Sequence, residues 1–326
     1  MLDGTLHPEG YHGDRRRPPF FEGWYAKLVS ADQTARLAII PGVFLSDDPA
    51  RHHAFVQVLD GSTGAASYHR YPVTVFHGAR DRFEVAVGPN RFSSHGLHLD
   101  IDDGGRRITG EVAFGPLDPW PVRPWSPGVM GPYALIPRME CNHGVLSFHH
   151  ELEGYLDVDG QRLTFSSGRG YLEKDWGAAF PAGYVWMQSN HFATPGSSFV
   201  ASIAIVPWLR GAFPGFLAGL RHEGRLYRFA TYTGARTVAL RITDTRIEWV
   251  LADRHARLEI SAHRASAGLL HGPTRERMER RIGETMQAEL DIRLVDRRHR
   301  TVLEGVGTSA GLEVHGDLDR LLALQV

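Results

Sequence analysis

Glu173 and Asp175 stand two residues apart in a run that reads GRGYLEKDW from Gly168, and a turn-prone GAAFPAG leads from it into YVWMQSNHF. If both runs are strands, their side chains alternate between faces. Tyr171, Glu173 and Asp175 then share one face, and Leu172, Lys174 and Trp176 the other. In the second run Trp186, Gln188 and Asn190 share a face, opposed by Val185, Met187, Ser189 and His191. Two carboxyls on one strand face lie roughly 7 Å apart, and burying such a pair raises the pKa of at least one member. A carboxylic acid that keeps its proton near neutral pH is what general acid catalysis requires. Carboxylates, amides and tryptophans at this density fit the lining of a pocket for an apolar ligand with a polar end. The plainer alternative is a set of core tryptophans beside a solvated charge run.

Glu140, Asn142, His143, His149 and His150 crowd the stretch ECNHGVLSFHHELEG. Three histidines invite a metal, but their spacing matches no metal-ligand motif, so neither metal nor cofactor is expected.

The elements that must position these groups read as short strands. FFEGWYAKLVS opens the ordered chain, with Phe20, Glu22 and Trp24 on one face and Phe21, Tyr25 and Lys27 on the other. RLAIIPGVFLS, HAFVQVLD, ASYHRYPVTVF and RRITGEVAFG follow, separated by clusters such as DGSTG and DDGG. Regular short strands with turn signals between them point to an all-β chain of sandwiches or barrels. The prolines of 115–139 exclude a helix or central strand there and suggest a linker or a lid over a barrel mouth. The strand rhythm then resumes to the end. One helix is expected, over TRERMERRIGETMQ (274–287), where Met278, Ile282 and Met286 recur every four residues around an unfavourable Gly283. The expected organisation is an arm over 1–19 and two β domains, 20–160 and 161–326, with few short helices.

Composition narrows the function classes. The chain has 326 residues, 42% hydrophobic and 22% charged, with net charge −1. That charge, with no recognisable motif, argues against nucleic acid as a partner. One cysteine, Cys141, excludes an intramolecular disulfide and a cysteine-rich zinc site. MLDGTLHPEGYHGDRRRPPF has no apolar signal-peptide core, which points to a cytoplasmic location. The Arg15–Arg17 run before Pro18 and Pro19 reads as a solvated linker or, more weakly, as a transient membrane-surface contact.

FFEGWYAKL, YLEKDWGAAFPAGYVWMQSNHF, GPT at 272–274 and the closing SAGLEVHGD together resemble the tocopherol cyclase family in its bacterial branch. That family looks distantly related to two-domain lipocalin-like proteins, among them carotenoid hydratases. The resemblance implies two tandem lipocalin-like β-barrel halves and a greasy, isoprenoid substrate. The reaction it implies is ring closure of a prenylated phenol by alkene protonation. It puts Glu173 at the proton donor's position, with Asp175 as its charged neighbour and Glu140 and Glu22 as further acids. Trp24, Trp176 and Trp186 are then expected along the cationic path. Tyr25, His143, Gln188 and Asn190 are expected at the substrate, and His149 as acceptor of the phenol proton. Two other functions fit the same residues: a hydratase-like alkene-protonating enzyme, and a lipocalin-like carrier without catalysis. The carboxylate pair separates them, because a carrier gains nothing from burying acids.

Overall fold

A computed structural model of the chain describes residues 6–136 and 139–325. Residues 1–5 of the expected arm and 137–138 of the proline-rich stretch lie outside the described residues. The strands in chain order are β1 (Phe20–Val29), β2 (Arg36–Leu45), β3 (His53–Asp60), β4 (Ala66–Tyr71), β5 (Phe76–Gly78), β6 (Glu84–Val87), β7 (Asn90–Ser93), β8 (Gly96–Asp102), β9 (Arg107–Phe114), β10 (Cys141–Val158), β11 (Gln161–Thr164) and β12 (Gly168–Gly177). They continue as β13 (Gly183–Ser189), β14 (Ser198–Trp208), β15 (Gly211–His222), β16 (Arg225–Ala230), β17 (Arg236–Ile242), β18 (Arg246–Ala252), β19 (Ala256–His263), β20 (Gly268–Pro273), β21 (Met278–Asp296) and β22 (Thr301–Gly316). The one α-helix among the described residues, α1 (Leu318–Ala323), is capped by the Asp317 side chain, which accepts from the Arg320 N–H. All pairings are antiparallel within two sheets, so the expected all-β architecture is the observed one.

The first sheet runs β4-β3-β2-β1-β12-β10-β9-β8-β7-β6-β5. Its core draws Leu28, Ile39 and Val56 from one half and Val85, Leu99 and Val112 from the other, so the sheet curls around a single interior. The second sheet runs β16-β15-β14-β13-β22-β21-β19-β18-β17 around Met187, Phe199, Trp249, Leu258 and Ile292. Each such side chain taken from water stabilises its unit by roughly 1.5–3 kcal/mol before entropy is counted.

The chain divides into two compact units, Met1–Phe180 with Gly268–Arg281, and Pro181–Ala267 with Ile282–Val326. The first unit thus extends past the expected end at 160, because β12 is hydrogen-bonded between β1 and β10. It also takes up β20, where Gln57 holds the backbone N–H of His271 at 2.6 Å through its amide oxygen.

Three expectations are corrected. The stretch 274–287, expected as a helix, is a turn over 274–277 followed by the start of β21, in which buried residues recur at every second position from Ile282 through Glu284, Met286, Ala288, Leu290, Ile292 and Leu294. The expected arm is packed in part, since Pro8, Gly10 and Gly13 are buried, while Arg16 and Arg17 of the arginine run are exposed. The proline-rich stretch lies within the first unit: Phe148 donates its N–H to the Asp118 carbonyl, and Trp120, 1% exposed, stacks on Phe148.

Candidate active site

Strand β12 sits between β1 and β10, and its two faces carry two different polar clusters. On the face turned away from the unit's core, Glu173 is registered with Tyr25 of β1 and Val145 of β10, and Asp175 with Gly23 and His143. Glu173 is 4% exposed. Tyr171 donates its phenol hydrogen to Glu173 Oε2 at 2.5 Å. His143 reaches both acids, with Nδ1 2.9 Å from Asp175 Oδ1 and Nε2 3.5 Å from Glu173 Oε2. Burial, reinforced by the Glu173 charge beside it, pushes the Tyr171 phenol pKa well above its usual value, so Tyr171 remains a hydrogen-bond donor. Lys27, fully buried, is registered with Tyr171 and shares this face. Glu173, Asp175, His143 and Tyr25, all expected at the site, are brought by the sheet onto one face. Tyr171 is the further member of this face, and strand alternation alone puts it beside Glu173.

The opposite face carries Lys174, which forms an ion pair of 2.5 Å with Glu22, both completely buried. The arm closes this cluster. His12 Nδ1 lies 2.8 Å from Lys174 Nζ, and the His12 backbone N–H donates to Glu22 Oε2 at 2.9 Å. Lys174 also donates to the Gly10 carbonyl, and Trp24 Nε1 donates to the Glu9 carbonyl at 3.0 Å. Trp24 and Trp176 clamp the ammonium from 4.9 and 4.5 Å, and the His12 ring stacks on Trp176. Burial brings the Lys174 pKa down to about 8 against the pull of Glu22. Burial works to raise that of Glu22, but Lys174 and His12 outweigh it and hold the carboxyl below its ordinary value. Trp24, Trp176 and Glu22, expected to serve the substrate or supply an acid, therefore face away from Glu173 and anchor the arm.

Two histidines are also separated from the site. Beta-bulges between Val145 and Ser147 and between Ser147 and His150 turn β10 out of simple alternation. The charges that act on His149 are Arg169, Glu151 and Asp118, and burial is the largest cause lowering its pKa. His150 packs on Phe114 and bonds Ser147, with its pKa driven down to about 3 by burial. The three histidines do not converge. His143, Glu173 and Asp175 do, with one ligand atom of each lying within 4.8 Å of the others, a set able to take a divalent ion. Glu140 pairs with Arg275 at the surface at 3.2 Å.

In the second unit, Val185 and Met187 of β13 enter the core, so Tyr184, Trp186 and Gln188 face away from it. All three are buried, as is Asn190 just beyond the strand. Trp186 is registered with Glu313 of β22, and Glu313 with Glu284 of β21. Tyr184 donates to Glu313 Oε2 at 2.5 Å, so each unit has a short Tyr–Glu bond on the face turned from its core. Glu313 lies in the SAGLEVHGD motif, but no feature of the sequence alone singles it out.

A family model described as tocopherol cyclase-like matches residues 103–316. A probable chloroplastic tocopherol cyclase from Oryza sativa subsp. japonica is 27% identical over 374 aligned positions, covering 94% of this chain and 77% of that protein. A chloroplastic tocopherol cyclase from Zea mays is 29% identical over 177 positions, covering 50% of this chain and 36% of that one. Among solved structures, CghA with Sch210972 superposes with a TM-score of 0.58 at 13% identity, covering 92% of this chain and 89% of that one. At that identity the likeness is one of fold.

Proposed function

The chain belongs to the tocopherol cyclase-like family, and on that premise we propose that it is an enzyme that protonates an alkene of an apolar isoprenoid substrate. In its specific form the reaction closes a ring on a prenylated phenol. Glu173 gives its proton to the less substituted alkene carbon, and the π pair forms the new C–H bond. The neighbouring carbon takes tertiary cationic character, the phenol oxygen forms the C–O bond, and the phenolic proton leaves to a base. No atoms are gained or lost, so the product is an isomer of the substrate.

The observation that carries this reading is the setting of Glu173: a buried carboxyl held by Tyr171 and flanked by His143. Tyr171 steadies the carboxylate that remains when the proton has left. His143 stands between Glu173 and the partly exposed Asp175, so it can take the phenolic proton and return it to Glu173. His143 thus takes the part expected of His149.

The convergence of His143, Glu173 and Asp175 favours a second reading, in which a divalent ion held by these three polarises the substrate. The family favours the acid. The reading carries with it a cytoplasmic location and transient work at a membrane surface where the substrate resides. No described helix is long and apolar enough to cross a membrane.

The test is incubation with a panel of prenylated hydroquinones, followed by mass spectrometry. Cyclisation leaves the mass unchanged with a new retention time. A hydratase adds one water. Binding without any product is the behaviour of a carrier and would refute the enzymatic reading.

A further inference from the structure

The second unit carries a cationic cleft that the proposed reaction does not use. Strand β16 and the turns β18–β19 and β21–β22 together line a cavity of about 1150 Å³. Arg225 and Arg228 line it on the strand, Arg254 on the first turn, and Arg297, Arg298 and Arg300 on the second. Two carboxylates, Asp253 and Asp296, share the lining. In a chain of net charge −1, this is a local concentration of positive charge.

Neither aspartate forms an ion pair with the five arginines other than Arg300. Asp253 Oδ1 accepts the backbone N–H groups of His255 and Ala256 at 2.7 and 2.8 Å, which fixes its turn. Asp296 accepts the N–H groups of Arg298 and Arg300 and also takes the forked Arg300 side chain at 2.9 and 2.8 Å. Among the described residues, no carboxylate lies within ion-pair distance of Arg225, Arg228, Arg254, Arg297 or Arg298. Arg254 donates instead to the neighbouring His255 ring, and Arg225 lies over the Tyr227 ring at 4.5 Å. Five guanidinium groups around one cavity, with Asp253 as the one carboxylate among them not paired to an arginine, repel one another, and an anion reduces that repulsion.

We propose that this cleft binds the phosphate groups of a small ligand, a phosphomonoester or diphosphate. A lone carboxylate is satisfied by one arginine fork, whereas a diphosphate presents enough charge and acceptor oxygens to engage forks from the strand and both turns. Leu226, Tyr227 and Val302 give the cleft an apolar wall for the organic part.

The test uses the full chain and calorimetric titration with inorganic pyrophosphate and with farnesyl diphosphate, alongside co-sedimentation with phosphatidylcholine vesicles with and without phosphatidic acid. Pyrophosphate is expected to bind, and more weakly as salt is raised. Removing two forks, in Arg254→Ala/Arg298→Ala or separately in Arg225→Ala/Arg228→Ala, is expected to weaken it by about tenfold or more. Tighter binding of farnesyl diphosphate than of pyrophosphate identifies a free organic phosphate as the ligand. Capture by phosphatidic-acid vesicles alone identifies a lipid headgroup, and both outcomes keep the phosphate chemistry. Wild type that binds none of the three probes overturns the proposal, as do two double variants that both retain wild-type affinity. Turnover plays no part in these readouts, so this proposal and the proposed reaction fail independently.

Discussion

Tyr171 and Glu173, two residues apart on one face of β12, are joined by a buried 2.5 Å hydrogen bond from the phenol to Oε2. A hydrogen bond to a charged acceptor contributes about 1.5–3 kcal/mol, and this one strengthens as Glu173 gives up its proton. Tyr171→Phe is therefore expected to lower kcat by about 10- to 100-fold with little change in KM. Steady-state kinetics on the wild-type substrate checks this. An unchanged kcat would make the bond structural only.

The Lys174–Glu22 pair on the opposite face answers to stability rather than catalysis. Lys174→Met leaves Glu22 buried beside His12 without its cation, a loss of about 3–5 kcal/mol for a broken buried pair. Lys174→Met/Glu22→Gln is expected to cost much less than the sum of the two single changes. Urea unfolding of the four proteins completes the cycle, and additive costs would contradict the pairing.

Acid should destabilise the fold well before the carboxylates titrate. Burial lowers the pKa of His53 to about 4 and that of His150 to about 3, against about 6.5 in the unfolded chain. Between those values the unfolded state binds more protons, so stability rises with pH through this window and is lost as pH falls from about 6.5. Unfolding free energies from denaturant titrations between pH 7 and pH 4 should fall steadily, by an amount on the order of a few kcal/mol. A flat profile would contradict the buried neutral histidines.

Much of this was legible in the chain, and the exceptions have physical causes. Strand alternation assigned Glu173 and Lys174 to opposite faces of β12, because successive side chains of a strand point to opposite faces whatever covers them. The same alternation hid β21, since Met278, Ile282 and Met286 fit a helical and a strand period equally well. His143 and His149 were not separable, because the bulges of β10 lie between them and no residue type announces a bulge. The packing of the arm was not legible because Lys174 and Trp176, which hold His12 together with Glu22, are distant in sequence. The first unit's extent depended on the pairing of β12 with β1, a long-range contact that composition does not reveal.

The trio of His143, Glu173 and Asp175 separates acid from metal chemistry. The acid reading expects purified protein to turn over substrate in EDTA at an undiminished rate. Loss of turnover in EDTA, with recovery on adding one equivalent of a divalent ion, would instead make Glu173 a ligand.

The central claim is that Glu173 is the proton donor, and Glu173→Gln tests it most directly, because glutamine keeps the shape but has no acidic proton. With the prenylated phenol that the wild type converts, kcat is expected to fall by about 10²–10⁴-fold while the substrate Kd stays within about threefold. Turnover by Glu173→Gln at the wild-type rate would contradict the account.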